Sequence, residues 1–217
     1  MAYNSFGTLW TAASGTGTPG STVARHAAIT SFTNTAPTWV WQNIAAAGSG
    51  NPSIWPRALR LMLGGTAPTA TLTMELAIVT DVVTPVITNP GLVAANVNTD
   101  TRDVTTKSVS QITGYLAAST LSVTAPSSAY RTVCRSRLLT GLGITGDSYV
   151  FQFGMQDQRM DNGHAGASVR ATDPTHLAMQ CAGWSLAPGQ VAYIYMWWLT
   201  EATNASTWEW AFEWYEL

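Results

Sequence analysis

Charged residues are scarce in this sequence. They make up 10% of its 217 residues, and Lys107 is the single lysine beside nine arginines, whereas typical domains carry about 25% charged residues. A surface short of lysine and glutamate lacks the usual means of remaining unassociated, and interface cores show the same depletion. The composition therefore favours a protein that buries surface against other proteins.

The chain also has little of what marks several other protein classes. Its formal net charge is −2, so it has no basic field with which to neutralise phosphates, and we expect no direct contact with nucleic acid. The longest strongly apolar run, Val191–Leu199, has nine residues and is too short to span a bilayer as a helix. The first residues, Met1-Ala2-Tyr3, begin neither a charged segment nor a long apolar segment, so we expect no secretory signal peptide.

Cysteine is rare as well. Cys134 and Cys181 are the two cysteines of the sequence, too few for a disulfide framework. Because cysteine is among the most frequently buried residue types, we expect two buried free thiols.

Motifs that carry catalysis are missing. The sequence contains neither Gly-x-Ser-x-Gly nor His-Glu-x-x-His, and the glycines of Gly15–Gly20 stand in no strand–helix context that could bind a dinucleotide. Segment Asp157–His176 collects carboxylates and histidines that could bind a cation, but their spacing favours a structural or interface loop. We therefore expect no enzyme activity and no catalytic, cofactor or metal site.

Alternation of apolar and polar residues is the recurring pattern. In Thr71–Thr80, alternate apolar side chains predict a half-buried strand. Arg57–Leu63 precedes it across the glycine- and proline-rich stretch Gly64–Pro68, which predicts a hairpin. Similar runs predict further strands at Arg25–Phe32, Trp39–Ile44, Val104–Leu116, Thr132–Leu139, Ser148–Phe153, His176–Trp184, Gln190–Leu199 and Thr207–Leu217.

About eight to ten short strands separated by turns predict an all-β fold, namely an antiparallel β-sandwich of jelly-roll-like form. We expect residues 1–21 to form an extended N-terminal arm and residues 22–217 a single domain. The irregular stretch Asp81–Asp100 is expected to cross between sheets. A short turn within Ser108–Ser119 is the one helix expected.

Two groups of residues are candidates for an interface. Phe6, Leu9 and Trp10 are apolar anchors on the predicted arm, which docks either on a neighbouring subunit or back on its own domain. Arg131, Arg135 and Arg137 alternate along one predicted strand, where they either pair with acids of an adjacent strand or form an interface stripe.

Aromatic residues cluster near the C-terminus at Tyr193, Tyr195, Trp197, Trp198, Trp208, Trp210, Trp214 and Tyr215. Such a cluster can stack on sugar rings, or it can form a core and a subunit contact rich in hot-spot residues. In Thr207–Leu217 the aromatic residues alternate with Glu209, Ala211 and Glu213, which favours core plus interface. Trp197 and Trp198 are the interface candidates of this cluster.

The whole sequence resembles the virion structural proteins of tailed or tailless bacteriophages. The resemblance is compositional and lies in the Met-Ala start, a Gly/Thr/Ser-rich arm, few lysines, threonine-rich strands and the aromatic final strand. It implies a jelly-roll capsid protein or a β-sandwich decoration protein that stabilises the particle, bound to copies of itself and to other virion proteins.

That resemblance also implies a location in the virion, assembled in the host cytoplasm, and association as a homo-oligomer such as a trimer. The alternative is a carbohydrate-binding, lectin-like β-sandwich such as a receptor-binding or fibre-associated module.

Overall fold

The computed structural model describes residues 7–13, 24–25, 33–63, 72–89, 92–93, 97–98, 106–114, 121–140, 148–154, 177–181, 183–198 and 207–217. These residues contain the strands β1 (Thr8–Ala13), β2 (Ala24–Arg25), β3 (Trp39–Asn43), β4 (Ile54–Leu63), β5 (Leu72–Asp81), β6 (Ile87–Asn89), β7 (Leu92–Val93), β8 (Val97–Asn98), β9 (Ser110–Gly114), β10 (Ser122–Val123), β11 (Arg131–Thr140), β12 (Ser148–Phe153), β13 (Leu177–Cys181), β14 (Val191–Trp198) and β15 (Thr207–Glu216).

Two large sheets pack as a sandwich, which confirms the predicted fold class. Sheet A has the order β13-β12-β4-β15-β1-β8, with β2 attached to β15, and sheet B has the order β11-β5-β14-β3-β9-β7. Described neighbours pair antiparallel except β12 and β13, which run parallel. Residues 154–176 separate these two strands, a length that suffices for the crossover a parallel pair requires.

The strands β4 and β5 do not form the predicted hairpin. They lie in different sheets, where β4 pairs with β15 and β5 pairs with β14. The consecutive strands β4 and β5 thus pair with the consecutive strands β15 and β14. Such nested pairs arise when one long hairpin is rolled up, as in a jelly roll. Leu59 and Leu61 of β4 and Leu76 and Ile78 of β5 are therefore on opposite sheets of one core, and all four side chains are buried in it.

Aromatic side chains fill the space between the sheets. Trp41 of sheet B is fully buried, and its ring centroid lies 5.1 Å from Phe212, 5.4 Å from Trp214 and 5.7 Å from Trp184. The contacts with Trp214 and Trp184 are edge-to-face, and aromatic pairs of this kind each contribute about 0.5–1.5 kcal/mol beyond the buried area. The predicted alternation in β15 is confirmed, since Trp210, Phe212 and Trp214 are buried and the residues between them are partly exposed.

The outer face of sheet B is also covered, which the sequence did not indicate. A second cluster joins Val79 of β5 and Tyr193 of β14 with Leu121 and Val123, next to the small sheet of β10 and β6. The strand β5 is therefore buried on both faces along residues 75–79 rather than half-buried, and even Glu75 is 3% exposed.

Three further expectations from the sequence concern Asp81–Asp100, Ser108–Ser119 and the N-terminal arm, and their outcomes differ. Asp81–Asp100 crosses between sheets as expected, because β7 belongs to sheet B and β8 to sheet A. The helical turn expected within Ser108–Ser119 is wrong for the residues described, which form β9 in register with β3. The predicted arm contains a strand of the sandwich, since β1 lies between β15 and β8.

The expectation of free thiols is wrong for Cys134. This buried residue of β11 is disulfide-bonded, and the sequence contains one other cysteine, Cys181, with which β13 ends. The strands β11 and β13 are edge strands of opposite sheets and lie close together. Their proximity results from the way the sheets stack, which cysteine spacing does not reveal.

Candidate functional site

One end of the sandwich is defined by strand register. In sheet B, Asp81 at the end of β5 lies opposite Val191 at the start of β14. In sheet A, Ile54 at the start of β4 lies opposite Glu216 at the end of β15. Backbone hydrogen bonds join Ile54 to Leu186, shortly before β14, so both sheets end together here.

A buried aspartate holds the connections that leave sheet B at this end. Asp81 accepts hydrogen bonds from Ser127 N at 2.6 Å, Ser127 Oγ at 2.7 Å, Val82 N at 2.7 Å and Val83 N at 3.3 Å. Burial alone would raise the pKa of Asp81, but the bonds from Ser127, Val82 and Val83 outweigh it, so the pKa is lowered. The carboxylate thus fixes the loop before β11.

Asn43 and Glu216 hold further connections at the same end. Asn43 Nδ2 donates to the carbonyl oxygens of Pro52 and Leu186, each at 3.0 Å. Glu216 accepts from Ser108 Oγ, from Val109 N at 3.2 Å and from Trp214 Nε1 at 3.1 Å. Because buried polar groups with full hydrogen bonding rigidify their surroundings, these loops are fixed in place.

Large hydrophobic side chains are exposed at this end. Seven of them in the described part of the chain have exposed fractions between 45% and 61%, and each lies next to or just beyond the strand ends described above. We call this surface the apolar end; it consists of Ile44, Trp55, Val82, Val83, Val86, Tyr130 and Leu217. Single exposed apolar residues are normal, whereas several at one end of a domain make that end a candidate contact surface.

A pocket opens beside the apolar end on the outer face of sheet B. Its volume is about 410 Å³, within the range of roughly 300–1,000 Å³ in which small-molecule sites occur. Its lining residues come from β5, β11, β14 and two loops; they are Asn34, Ala77, Val79, Pro126, Tyr130, Thr132, Arg135 and Trp197. We call this site the outer pocket.

Two buried tyrosines of β14, Tyr193 and Tyr195, lie beneath the outer pocket. Tyr195 Oη donates to the carbonyl oxygen of Asn34 at 2.8 Å, and its ring stacks on Tyr193 at 6.4 Å. Burial, with the charge of Asp81 as a smaller cause, raises the pKa of Tyr193 to about 12. Burial likewise raises the pKa of Tyr195. Both phenols therefore stay neutral donors at physiological pH.

The predicted interface residues are distributed over several places. Trp10 is buried in the core of its own chain and Leu9 is half-buried in β1, so residues 8–13 follow the alternative in which the arm docks on its own domain. Phe6 lies outside the described residues. Trp197 lines the outer pocket, whereas Trp198 is the last residue of β14, opposite Met74.

The three arginines of β11 do not share one face. A bulge at Val133 shifts the register, so that Arg131 lies opposite Thr80 and Arg135 opposite Ala77. Positions three apart on β5 point to opposite faces, which separates Arg131 from Arg135. Arg137 lies opposite Glu75 in register, and Arg135 pairs with Glu75 at 3.1 Å.

Sequence reasoning missed most of the lining of the outer pocket and most of the apolar end. Asn34, Pro126 and Asp81 belong to segments far apart in sequence, and the fold alone brings them together. A weak signal existed in Val82-Val83, two consecutive apolar residues that follow the predicted strand Thr71–Thr80 after Asp81.

Two other types of feature, a metal-ion site and a membrane-spanning helix, are absent from the described residues. They contain no group of three or more histidine, cysteine, aspartate or glutamate side chains able to hold a metal ion, and no helix suited to crossing a membrane. The segment between Asp157 and His176, where the sequence suggested a loop with a possible cation site, lies outside the described residues.

Comparison of the chain with protein-family models, with curated protein sequences and with solved structures finds no match.

Proposed function

We propose that this protein is an assembly subunit that acts by burying its apolar end against copies of itself or partner proteins. The observation that carries this proposal is the concentration of exposed hydrophobic side chains at one end of the sandwich, where Asp81, Asn43 and Glu216 hold the connecting segments by hydrogen bonds. A fixed surface loses little conformational entropy on association, so more of its apolar burial is available for binding.

The composition supports the same function. With one lysine in the chain, few charges oppose close approach of another copy. Apolar area removed from water contributes roughly 25 cal/mol per Å², and closed symmetry multiplies one pairwise contact over every subunit.

We further propose that the assembly is a bacteriophage particle, with this chain as a capsid or capsid-associated decoration protein. The support is the compositional resemblance described above together with a sandwich whose long strands nest as in a jelly roll. In this role the protein performs no reaction. It stabilises the particle through subunit contacts.

Sedimentation velocity of the purified full chain tests assembly. We expect ligand-free oligomers whose population rises with protein concentration between about 1 and 100 μM, a range in which contacts of micromolar affinity respond. A protein that sediments as a monomer throughout this range and does not bind preformed phage particles would contradict the proposal.

A further inference from the structure

The outer pocket combines an aromatic wall with polar groups at its rim. Tyr130 is 54% exposed, so much of its ring is open to a ligand, whereas Trp197 is 6% exposed and contributes a small part of a packed ring to the lining. Aromatic rings attract the slightly positive C–H groups on one face of a pyranose, as their π-faces carry negative charge density. Lining of this kind suits a flat molecule with an apolar face and a polar edge.

Arg135 supplies hydrogen-bond donors to the pocket. Its Nη2 donates to the buried Glu75 Oε2 at 3.1 Å, which anchors one end of the guanidinium, while 68% of the side chain stays exposed. A guanidinium carries five N–H donors, so further donors can reach ligand hydroxyls. Thr132 adds a hydroxyl group, and Asn34 adds a carboxamide that both donates and accepts.

The charge balance of the pocket disfavours an acidic ligand. Among the described residues that line it, Arg135 is the one charged residue, and Glu75 neutralises it at contact distance. A ligand rich in hydroxyl groups can use both donors and acceptors here, whereas a carboxylate or phosphate would compete with Glu75 for the same guanidinium.

We propose that the outer pocket is a binding site for a neutral saccharide, with room for a mono- or disaccharide unit. Tyr130 contacts the ring face next to the small exposed part of Trp197, and Arg135, Thr132 and Asn34 bind its hydroxyl groups. The pocket is built before the ligand arrives, because Asp81 fixes Ser127 in the loop that carries Pro126 and Tyr130. This site is separate in chemistry from self-assembly, although Tyr130 borders both surfaces.

Saturation-transfer difference NMR on the full chain tests the proposal, since it detects millimolar binding without requiring oligomers. The probes are glucose, galactose, mannose, N-acetylglucosamine, fucose and rhamnose, with N-acetylneuraminic acid as the acidic comparison. We expect ring-proton signals from at least one neutral sugar. Tyr130→Ala and Arg135→Ala should each weaken its binding about tenfold or more, while Trp55→Ala, an exposed aromatic outside the pocket, should leave it unchanged.

Each contrary outcome overturns the proposal. If no neutral sugar gives a signal, the outer pocket is not a saccharide site. If binding persists in Tyr130→Ala, the sugar binds elsewhere on the protein. Preference for N-acetylneuraminic acid over all neutral sugars refutes the charge argument. If Arg135→Ala unfolds because Glu75 is left buried without its partner, Tyr130→Ala alone decides, since a half-exposed ring is dispensable for folding. A monomeric protein that still binds sugar would refute assembly and leave this site standing.

Discussion

Replacing Asp81 by alanine should destabilise the fold by about 3 kcal/mol. The carboxylate accepts four hydrogen bonds from Ser127, Val82 and Val83, and a bond to a charged group contributes roughly 1.5–3 kcal/mol net. Because Val82 and Val83 are exposed, water can replace the carboxylate at their N–H groups, so the expected loss is about that of the two Ser127 bonds at the lower value. Equilibrium unfolding in urea, followed by tryptophan fluorescence at pH 7, measures this loss as a lower midpoint at constant slope. Glu209→Ala, on the outer face of β15, serves as the control and should change stability by less than about 0.5 kcal/mol.

The same aspartate predicts a pH dependence with a definite sign. Its pKa is lower in the folded protein than the ordinary value of 3.8, so the unfolded chain binds the proton more readily. Its contribution is therefore complete above that value and is lost as the pH falls toward the folded pKa. Wild type should lose stability more steeply than Asp81→Ala below about pH 4. Parallel pH profiles, or an Asp81→Ala variant as stable as Glu209→Ala, would refute this reasoning.

Three further substitutions follow from the fold, each checked by urea unfolding. Cys134→Ser, or reduction of wild type, should cost about 2–4 kcal/mol; wild type that is indifferent to reductant would contradict the bond. Gly114→Ala should cost about 1–3 kcal/mol, because its Cβ would lie 2.9 Å from Cδ1 of the buried Trp39; an unchanged midpoint would refute that close contact. Asn43→Ala should cost about 2 kcal/mol, because it removes the side-chain donor to the carbonyl oxygens of Pro52 and Leu186 and the acceptor of Ala45 N; a neutral effect would show that these bonds contribute nothing.

The sequence predicts single strands well because alternation is a local property. Ser148–Phe153 matches β12 at both ends, and the aromatic face of β15 is buried as expected. Packing of side chains against one face follows directly from a period of two, so residues such as Phe212 could be placed in the core without a structure.

Features that depend on distant segments could not be predicted in this way. A Gly/Pro connection between β4 and β5 is compatible with pairing or with a change of sheet, and only the partners β15 and β14 decide between them. Glu75 is charged and alternates with apolar residues, which indicates exposure, yet it is 3% exposed in a strand whose outer face also carries a buried apolar cluster. A one-residue bulge at Val133 likewise separates Arg131 from Arg135.

The outer pocket was not predicted as a pocket. Trp197 and Arg135 were expected at a protein interface, which stays a prediction, and the structure brings both to one cavity with Tyr130. Asn34 and Pro126 carried no signal, since neither lies in a motif and each reaches the pocket through a loop. The apolar end was missed for the same reason.

The most direct test of assembly through the apolar end compares Val83→Asp with Val150→Asp by sedimentation velocity. Val83 is 52% exposed at the apolar end, whereas Val150 is partly exposed on the outer face of sheet A, in register with Arg60. We expect wild type and Val150→Asp to form the same oligomer, and Val83→Asp to weaken it roughly tenfold or more, since a buried unpaired charge opposes association. A wild-type monomer, or a Val83→Asp protein that assembles like wild type, would contradict the account.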